Sequence, residues 1–302
     1  MERNYIKHIS PYLKALTPLE AIATPAAKKI EKGDFKAIIF DIYGTLLISA
    51  SGDVDKAEYS SSMIRKALQG ANFEILKDNK ESFDAIYEIY NKCITSHLEM
   101  NSVDGRPYPE VDIIEVSKDA LRLAKMMGII KFKEDSDVML FNFIFELQTN
   151  QVWPMPGMKK VINQLKDSKL TLGIVSNAQF YTPVIMNHFL NDKEVDSEVI
   201  EPFEEDLTTY SFKELRGKPD VALFETLLPS LAARNIKPEE ALFVGNDMLK
   251  DIYTASQAGL KTAFFAGDHR SYRLREEDER CATLQADYVI TELEQLLEIV
   301  GL

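Results

Sequence analysis

Three short apolar runs in this chain each end in side chains suited to handling anions. Phe40 is followed by Asp41, Val175 by Ser176 and Asn177, and Val244 by Gly245, Asn246, Asp247 and, about one helical turn on, Asp251. Between the second and third runs, Lys218 stands before Pro219 in GKPDVALF. A carboxylate can act as a covalent nucleophile, dividing one hard displacement into two easier ones. With phosphorus as the electrophile, the product is an acyl phosphate that water can open. A phosphoryl group is itself anionic, so attack by Asp41 requires positive charge, which a lysine and a dication supply. Gathered bare, Asp41, Asp247 and Asp251 would repel one another by roughly 4 kcal/mol per pair at about 4 Å. Mg2+, a hard cation that suits one or two carboxylates plus waters, removes that cost.

For these residues to meet, their apolar runs must lie side by side. AIIF at 37–40, LTLGIV at 170–175, ALFV at 241–244, KTAFFA at 261–266 and DYVI at 287–290 read as buried strands. Helical patterns at 158–165, 221–231, 252–258 and 292–300 separate or follow the later ones. That alternation indicates a doubly wound, Rossmann-like α/β core, a parallel sheet covered on both faces. Such sheets bind ligands outside the carboxyl ends of their strands. Pro219 at a first helical position would set Lys218 at a helix entrance on the same rim. The hundred or so residues after the first strand read as almost entirely helical. Phe83, Ile86, Tyr87, Tyr90, Ile94 and Leu98 share one face there at helical spacing, and Gly128 supplies a stop. The expected organisation is an N-terminal helical extension over 1–33, broken at its prolines, an α/β core over 34–47 and 154–302, and an inserted all-helical cap over 48–153.

This arrangement resembles the haloacid dehalogenase-like hydrolase superfamily over nearly everything from residue 36 onward, in the form with a helical cap between the first and second motifs. The first motif, Asp-x-Asp/Tyr-Gly-Thr-Leu, is met by residues 41–46; the second by Ser176 in GIVSNA; the third by Lys218 in GKPDVALF; the fourth by the acids of VGNDMLKDIYTASQAG. One such motif is weak, but four in order, each at a strand end, are specific. The resemblance implies a doubly wound core and Asp41 as nucleophile. It also implies Ser176 and the Asn177 amide on a phosphoryl oxygen, Lys218 on nucleophile and phosphate, and Thr45 turned back toward the site by Gly44. By the same resemblance Mg2+ would be held by Asp41, the Tyr43 carbonyl and Asp247, with Asp251 close behind or in the shell itself.

Tyr43 departs from the pattern of the family's phosphatases, which usually carry a second aspartate there to protonate the leaving alcohol and then activate water. A phenol is a poor base at neutral pH. The family's 2-haloacid dehalogenases carry tyrosine at this position, expel halide without needing a proton, and use no metal. They also place an arginine soon after the first motif, whereas here the first arginine after Asp41 is Arg65. Three readings follow. One is a Mg2+-dependent hydrolase of a small phosphorylated metabolite through an aspartyl-phosphate. Another is a metal-independent 2-haloacid dehalogenase using the same Asp41. The last is a catalytically retired member that binds a partner, which the retention of Asp41, Ser176, Lys218 and Asp247 disfavours.

Composition narrows the partners. A formal charge of −13 argues against a nucleic-acid backbone, although a local field in a cleft can still attract a small anion. Cys93 and Cys281 lack metal or CxxC spacing and fit a reducing cytoplasm. The N-terminal residues are broken by charges and prolines, unlike a signal peptide, and no run approaches the roughly 18–20 apolar residues of a membrane span. In the insertion, DGRPYPEVD reads as a Gly/Pro turn in which Arg106 is a candidate substrate contact. The aromatic stripes around Phe83, Tyr87, Tyr90, Phe141, Phe143 and Phe145 read as the cap's own core, and REEDER at 275–280 as an exposed helix face.

Overall fold

The computed structural model describes residues 8–14, 16–23, 31–50, 59–102, 105–192 and 197–302, together with the backbone of 5–7. Parts of the expected extension (1–4, 15, 24–30) and of the expected cap (51–58, 103–104) lie outside the described residues.

Helix α1 (Tyr5–Lys14) precedes strands β1 (Ala37–Phe40) and β2 (Leu47–Ser49). Among the described residues four helices come next: α2 (Ser61–Gly70), α3 (Lys80–Ser102), α4 (Ile113–Met126) and α5 (Val138–Thr149). A small antiparallel ribbon of β3 (Glu74–Ile75) and β4 (Ile130–Lys131) is clipped between them, so this segment is not wholly helical as expected. The chain returns through β5 (Val152–Pro154) and α6 (Met158–Lys166) to β6 (Thr171–Ser176), α7 (Thr182–Asn191) and β7 (Thr208–Tyr210). Short helices then connect β8 (Ala241–Gly245), β9 (Lys261–Phe265) and β10 (Tyr288–Ile290), and Gln295–Val300 forms the last helix.

Six strands make one all-parallel sheet in the order β10-β9-β8-β1-β6-β7. Along β1, Ile38 and Phe40 enter one apolar cluster while Ala37 and Ile39 enter another; β8 splits the same way, with Leu242 and Val244 against Ala241 and Phe243. That two-residue alternation is what a sheet covered on both faces requires. The expected strands are all present within a residue or so. The edge strand β7 and helix α7 have no counterpart in the expected elements, because TTY is too short and TPVIMNHFLN too uniformly apolar to show a period.

Register fixes the rim. Phe40 pairs with Ile174 on one side and Val244 on the other, so Asp41 emerges level with Val175 and Gly245. Between sheet and helices, β2 and β5 form an antiparallel ribbon that brings the chain out at Leu47 and back at Pro154. Helix α5 is apolar nearly all round and has the neighbours to match, packing against α1, α2 and α4. Helix α1 therefore lies on α5 through Ile9 and Leu13 rather than on the sheet, and Pro11 sits inside it instead of ending it.

Other expectations give way to local bonding. Pro219 is not at a helix start: the next helix begins at Ala222, and the stretch to 233 is two short helices, Ala222–Glu225 and Leu228–Ala233. Residues 275–280 are turns, not a helix. The Asp278 carboxylate accepts from the Arg280 amide (3.0 Å) and guanidinium (2.9 Å), the side-chain competition that disfavours helix. Among the described residues no helix is long and apolar enough to cross a membrane.

Candidate active site

Asp41 leaves β1 with its amide bonded to the Val244 carbonyl (2.9 Å), which fixes its backbone to the neighbouring strand. Its Oδ1 accepts from Ser176 Oγ (2.9 Å) and from Lys218 Nζ (2.7 Å). Lys218 also donates to Asp251 Oδ1 (2.5 Å) and to the Val175 carbonyl (3.3 Å), so all three ammonium protons have acceptors. Burial alone would lower this lysine, but Asp251 and Asp41 outweigh it and hold the ammonium above its usual value. Asn177 keeps Lys218 in place by a reciprocal pair: its Oδ1 accepts from the Lys218 amide (2.7 Å) and its Nδ2 donates to the Lys218 carbonyl (3.2 Å).

The fourth cluster is shaped by a π-helical turn, Met248–Tyr253, with an i→i−5 bond from the Ile252 amide to the Asp247 carbonyl (3.1 Å). The turn brings Asp251 back under the end of β8, where its Oδ2 accepts from the amides of Asn246 (3.0 Å) and Asp247 (2.9 Å). A Cβ at Gly245 would sit 2.4 Å from Asp251 Cγ, so only glycine leaves room for that carboxylate. Burial pushes the Asp251 carboxyl up, with the Lys218 ammonium opposing. Both Asp251 oxygens are thus taken by protein donors.

Gly44 has φ +84° and a Cβ there would lie 2.4 Å from Asn246 Nδ2. The turn it makes lets Thr45, fully buried, donate to Asn246 Oδ1 (3.3 Å), tying the β1 loop to the β8 loop. Asp247 caps the π-helical turn through the amides of Leu249 (2.9 Å) and Lys250 (3.0 Å). It also takes a two-pronged contact from Arg275, 2.6 Å from Nη2 to Oδ2. The loop carrying Arg275 is held alongside because the Arg273 amide donates to the Asn246 carbonyl (2.8 Å) and the Met248 amide to the Arg273 carbonyl (2.8 Å).

These side chains enclose a hollow of about 100 Å3. Its carboxylates are Asp41, Asp247 and Asp251; its cations are Lys218, Lys250, Arg273 and Arg275. The cleft is therefore cation-rich in a protein whose net charge is −13. The expected repulsion among bare carboxylates is met by Lys218 and Arg275, which pair with all three.

Tyr43 forms part of the wall of this hollow and of a second, larger cavity of about 410 Å3 beneath α3 and α5. Its hydroxyl is 2.9 Å from Thr182 Oγ1, and burial, with Glu146 and Asp41 adding, raises it far above the ordinary phenol value. It is thus even less able to act as a base than its residue type suggests.

Asp41, Tyr43, Asn177, Lys218, Asp247 and Asp251 therefore line one hollow, with Ser176 bonded to Asp41 beneath it and Thr45 behind the Gly44 turn. Arg106 lines neither cavity; its loop docks on the core through the Gly217 amide and Tyr108 carbonyl (2.9 Å) and the Glu110 amide and Leu215 carbonyl (3.1 Å). The turn reading of that segment stands, and it braces the approach to Lys218. Of the stripes expected as cap core, Phe83, Tyr90, Phe141, Phe143 and Phe145 are buried, while Tyr87 is half-buried at the larger cavity, as are Ile94 and Leu98 on the same helix. Sequence reasoning missed Arg275 and the two acidic residues of that cavity, Glu110 and Glu146. The signal for Glu146 was available, since it is the lone charge in the apolar run VMLFNFIFELQT. A roomier cavity of about 870 Å3 at the β9–β10 edge contains none of the Asp41 cluster.

Residues 35–259 match the family described as haloacid dehalogenase-like hydrolase. A stretch of 147 residues is 33% identical to the glyceraldehyde 3-phosphate phosphatase of Pyrococcus furiosus, covering 48% of this chain and 54% of that protein. The corresponding phosphatase of Pyrococcus abyssi is 31% identical over 111 residues, 37% of this chain and 42% of that one. The chain thus spans about half the length of the curated relatives it matches. In three dimensions it resembles the 2-haloacid dehalogenase of Pseudomonas syringae pv. Tomato DC3000, with TM-score 0.56 and 19% identity over 88% of this chain and 98% of that one, a likeness of fold.

Proposed function

The chain belongs to the haloacid dehalogenase-like hydrolase family, and on that premise we propose that it hydrolyses a small phosphate monoester with Mg2+ as cofactor. One observation carries the reading: Asp41 is held by Ser176 and Lys218 through Oδ1 alone, and among the described residues nothing donates to its Oδ2. A carboxylate so fixed, in a small cation-rich hollow at a sheet edge, is poised to attack an anionic electrophile.

The donor set suits the ion. Asp41 Oδ2 and the Tyr43 carbonyl, neither with a protein donor among the described residues, offer hard oxygens beside the Asp247 carboxylate. Asp41, the Tyr43 carbonyl and Asp247 would hold Mg2+. Asp251, committed to Lys218 and two amides, acts from behind by positioning Lys218. When bound, Mg2+ offsets the charge shared by the attacking carboxylate and the phosphoryl group.

Asp41 forms an O–P bond as the ester P–O bond breaks, giving an aspartyl-phosphate and the alcohol; water then releases phosphate and restores Asp41. Lys218 and the Asn177 amide take the charge developing on the phosphoryl oxygens, and Ser176 orients the nucleophile. The raised, Thr182-bonded Tyr43 phenol is a weak source of the proton the leaving alkoxide needs, so turnover of alkyl esters is slow. The segment 48–153, joined to the core at the β2–β5 ribbon, serves as a cap that keeps water from the nucleophile and selects the leaving group. The phosphatases of Pyrococcus, which are named for a phosphate monoester, support this chemistry over the alternatives. The buried free thiols of Cys93 and Cys281 suit a reducing cytoplasm.

The presence of Tyr43 favours one competing reading, metal-independent displacement of halide from a 2-haloacid by the same Asp41. A substrate panel with and without chelator separates them. Phosphate release that chelator abolishes, and that Asp41→Asn lowers at least a thousandfold, is the expected result. Halide release indifferent to chelator would replace it with the dehalogenase, and silence over the whole panel with a retired binding scaffold.

A further inference from the structure

The cavity of about 410 Å3 under α3 and α5 opens beside the nucleophile, since Tyr43, Asn177 and Lys250 line both it and the smaller hollow. Its size falls within the roughly 300–1,000 Å3 typical of small-molecule sites. The two compartments carry opposite character. The smaller has four cations against three carboxylates, while the larger has two glutamates, Glu110 and Glu146, against Lys250 alone. Its walls are aromatic. The Tyr59 and Tyr87 rings stack at 3.7 Å and 5°, and Tyr87 and Tyr90 both approach Phe145, Tyr90 edge-on at 5.7 Å.

Glu146 lines the same cavity. The Tyr181 hydroxyl and Asn150 stand near enough to ease its charge somewhat, and it makes no ion pair among the described residues. Half-buried at the cavity wall, a carboxylate without a counter-ion is costly, and its loss of water pushes it up to about 7. A phenol wall offers electron-rich ring faces, which attract cations. A carboxylate lacking a counter-ion, lining one cavity together with such rings, is complementary to a positively charged group.

We propose that the leaving group of the substrate carries a cationic nitrogen, so that the substrate is an aminoalkyl phosphate whose phosphate enters the Lys218 hollow while its ammonium sits among Tyr87, Tyr90, Phe145 and Glu146. This rests on the phosphatase reading and names the substrate class for that site. The separation of charge along the ligand matches the separation of charge in the protein. A neutral leaving group of equal shape fills the same space but leaves Glu146 without its counter-ion.

The test pairs two esters of one shape, phosphocholine and its carbon isostere 3,3-dimethylbutyl phosphate, assayed by phosphate release with Mg2+. The readout is the ratio of their kcat/KM values, expected at roughly tenfold or more in favour of the cation. Glu146→Gln and, separately, Tyr87→Leu should each bring that ratio close to one. A ratio near or below one in the unaltered protein, or a ratio that Glu146→Gln leaves intact, overturns the proposal. If neither ester is hydrolysed, the phosphatase reading is judged separately by the substrate panel above, and the cavity by calorimetry with tetramethylammonium ion and with tert-butanol. Binding of the ion alone, lost in Glu146→Gln, sustains the cationic subsite; equal heats or none overturn it.

Discussion

Replacing Glu146 by glutamine should make the protein more stable at alkaline pH and change it much less in mild acid. The carboxyl rises from 4.5 to about 7 because burial, its largest cause, penalises the charged form more than Tyr181 and Asn150 relieve it. Each unit of that rise corresponds to about 1.4 kcal/mol. Below pH 4.5 the group is protonated whether the chain is folded or not, and no penalty exists. Between 4.5 and about 7 the unfolded chain gives up the proton while the folded one keeps it, so stability falls as pH rises. Above about 7 both are ionised and the penalty reaches its upper bound of about 3 kcal/mol, less whatever water in the half-open cavity screens. Glutamine cannot ionise and keeps the same shape. The Tyr43, Tyr90 and Tyr181 phenols near Glu146 are all raised by burial and do not titrate in this window, and Glu110 and Lys250, which line the same cavity, are present in both proteins. Asp251 is present in both proteins and cancels in the comparison. Urea denaturation of the metal-free and ligand-free protein, followed by the fluorescence of the single Trp153 at intervals from pH 5 to 8.5, gives both stability curves. Their difference should grow from just under about 1 kcal/mol at pH 5 to at most about 3 kcal/mol at pH 8.5, in favour of the variant. A flat difference, or a variant less stable at pH 8.5, would show that the carboxylate is solvated or paired, and the reasoning about its burial would fall.

Tyr43→Asp puts a titratable acid where the raised phenol stands, and should increase turnover of alkyl phosphates by roughly tenfold or more; a folded variant no faster than the parent sinks the account of slow leaving-group protonation. Gly44→Ala should cost about 2 kcal/mol or more in urea melts, because φ +84° is strained for alanine and its Cβ meets Asn246 Nδ2 at 2.4 Å. A cost below about 0.5 kcal/mol would mean the loop relaxes freely. Arg275→Gln releases Asp247 Oδ2 from a contact of 2.6 Å and should tighten Mn2+ binding, read by calorimetry or electron paramagnetic resonance, by several-fold. Weaker or unchanged binding would show that the guanidinium and the ion do not compete for that carboxylate.

Much of this molecule is written in its sequence. Strands β1, β6, β8 and β9 are short and largely apolar because both faces of a parallel sheet are buried, so composition marks them, and the edge strand β10 keeps the same apolar signature though only Ile290 is buried. A chemical side chain directly after such a run must emerge at the carboxyl edge, so the meeting of Asp41, Ser176 and the Asp247–Asp251 cluster could be anticipated from order along the chain. Lys218 could be anticipated as a partner, but not its reach to both Asp41 and Asp251, which depends on the Asn177 clamp and on a π-helical turn that no periodicity announces. Arg275 looked like a surface charge because only the pairing of the Arg273 backbone with Asn246 and Met248 brings its loop to Asp247. The tyrosines of α3 carried the right period for a buried face, yet period cannot distinguish a face packed on side chains from one that walls a cavity. That difference lies in what stands opposite, here Tyr59, Glu146 and Tyr181, residues distant in sequence whose juxtaposition is set by the packing of α5 against its neighbours and of this helical segment over the sheet edge. Local pattern reports what each element wants to bury; only the tertiary arrangement decides what is left open, and substrates are recognised in what is left open.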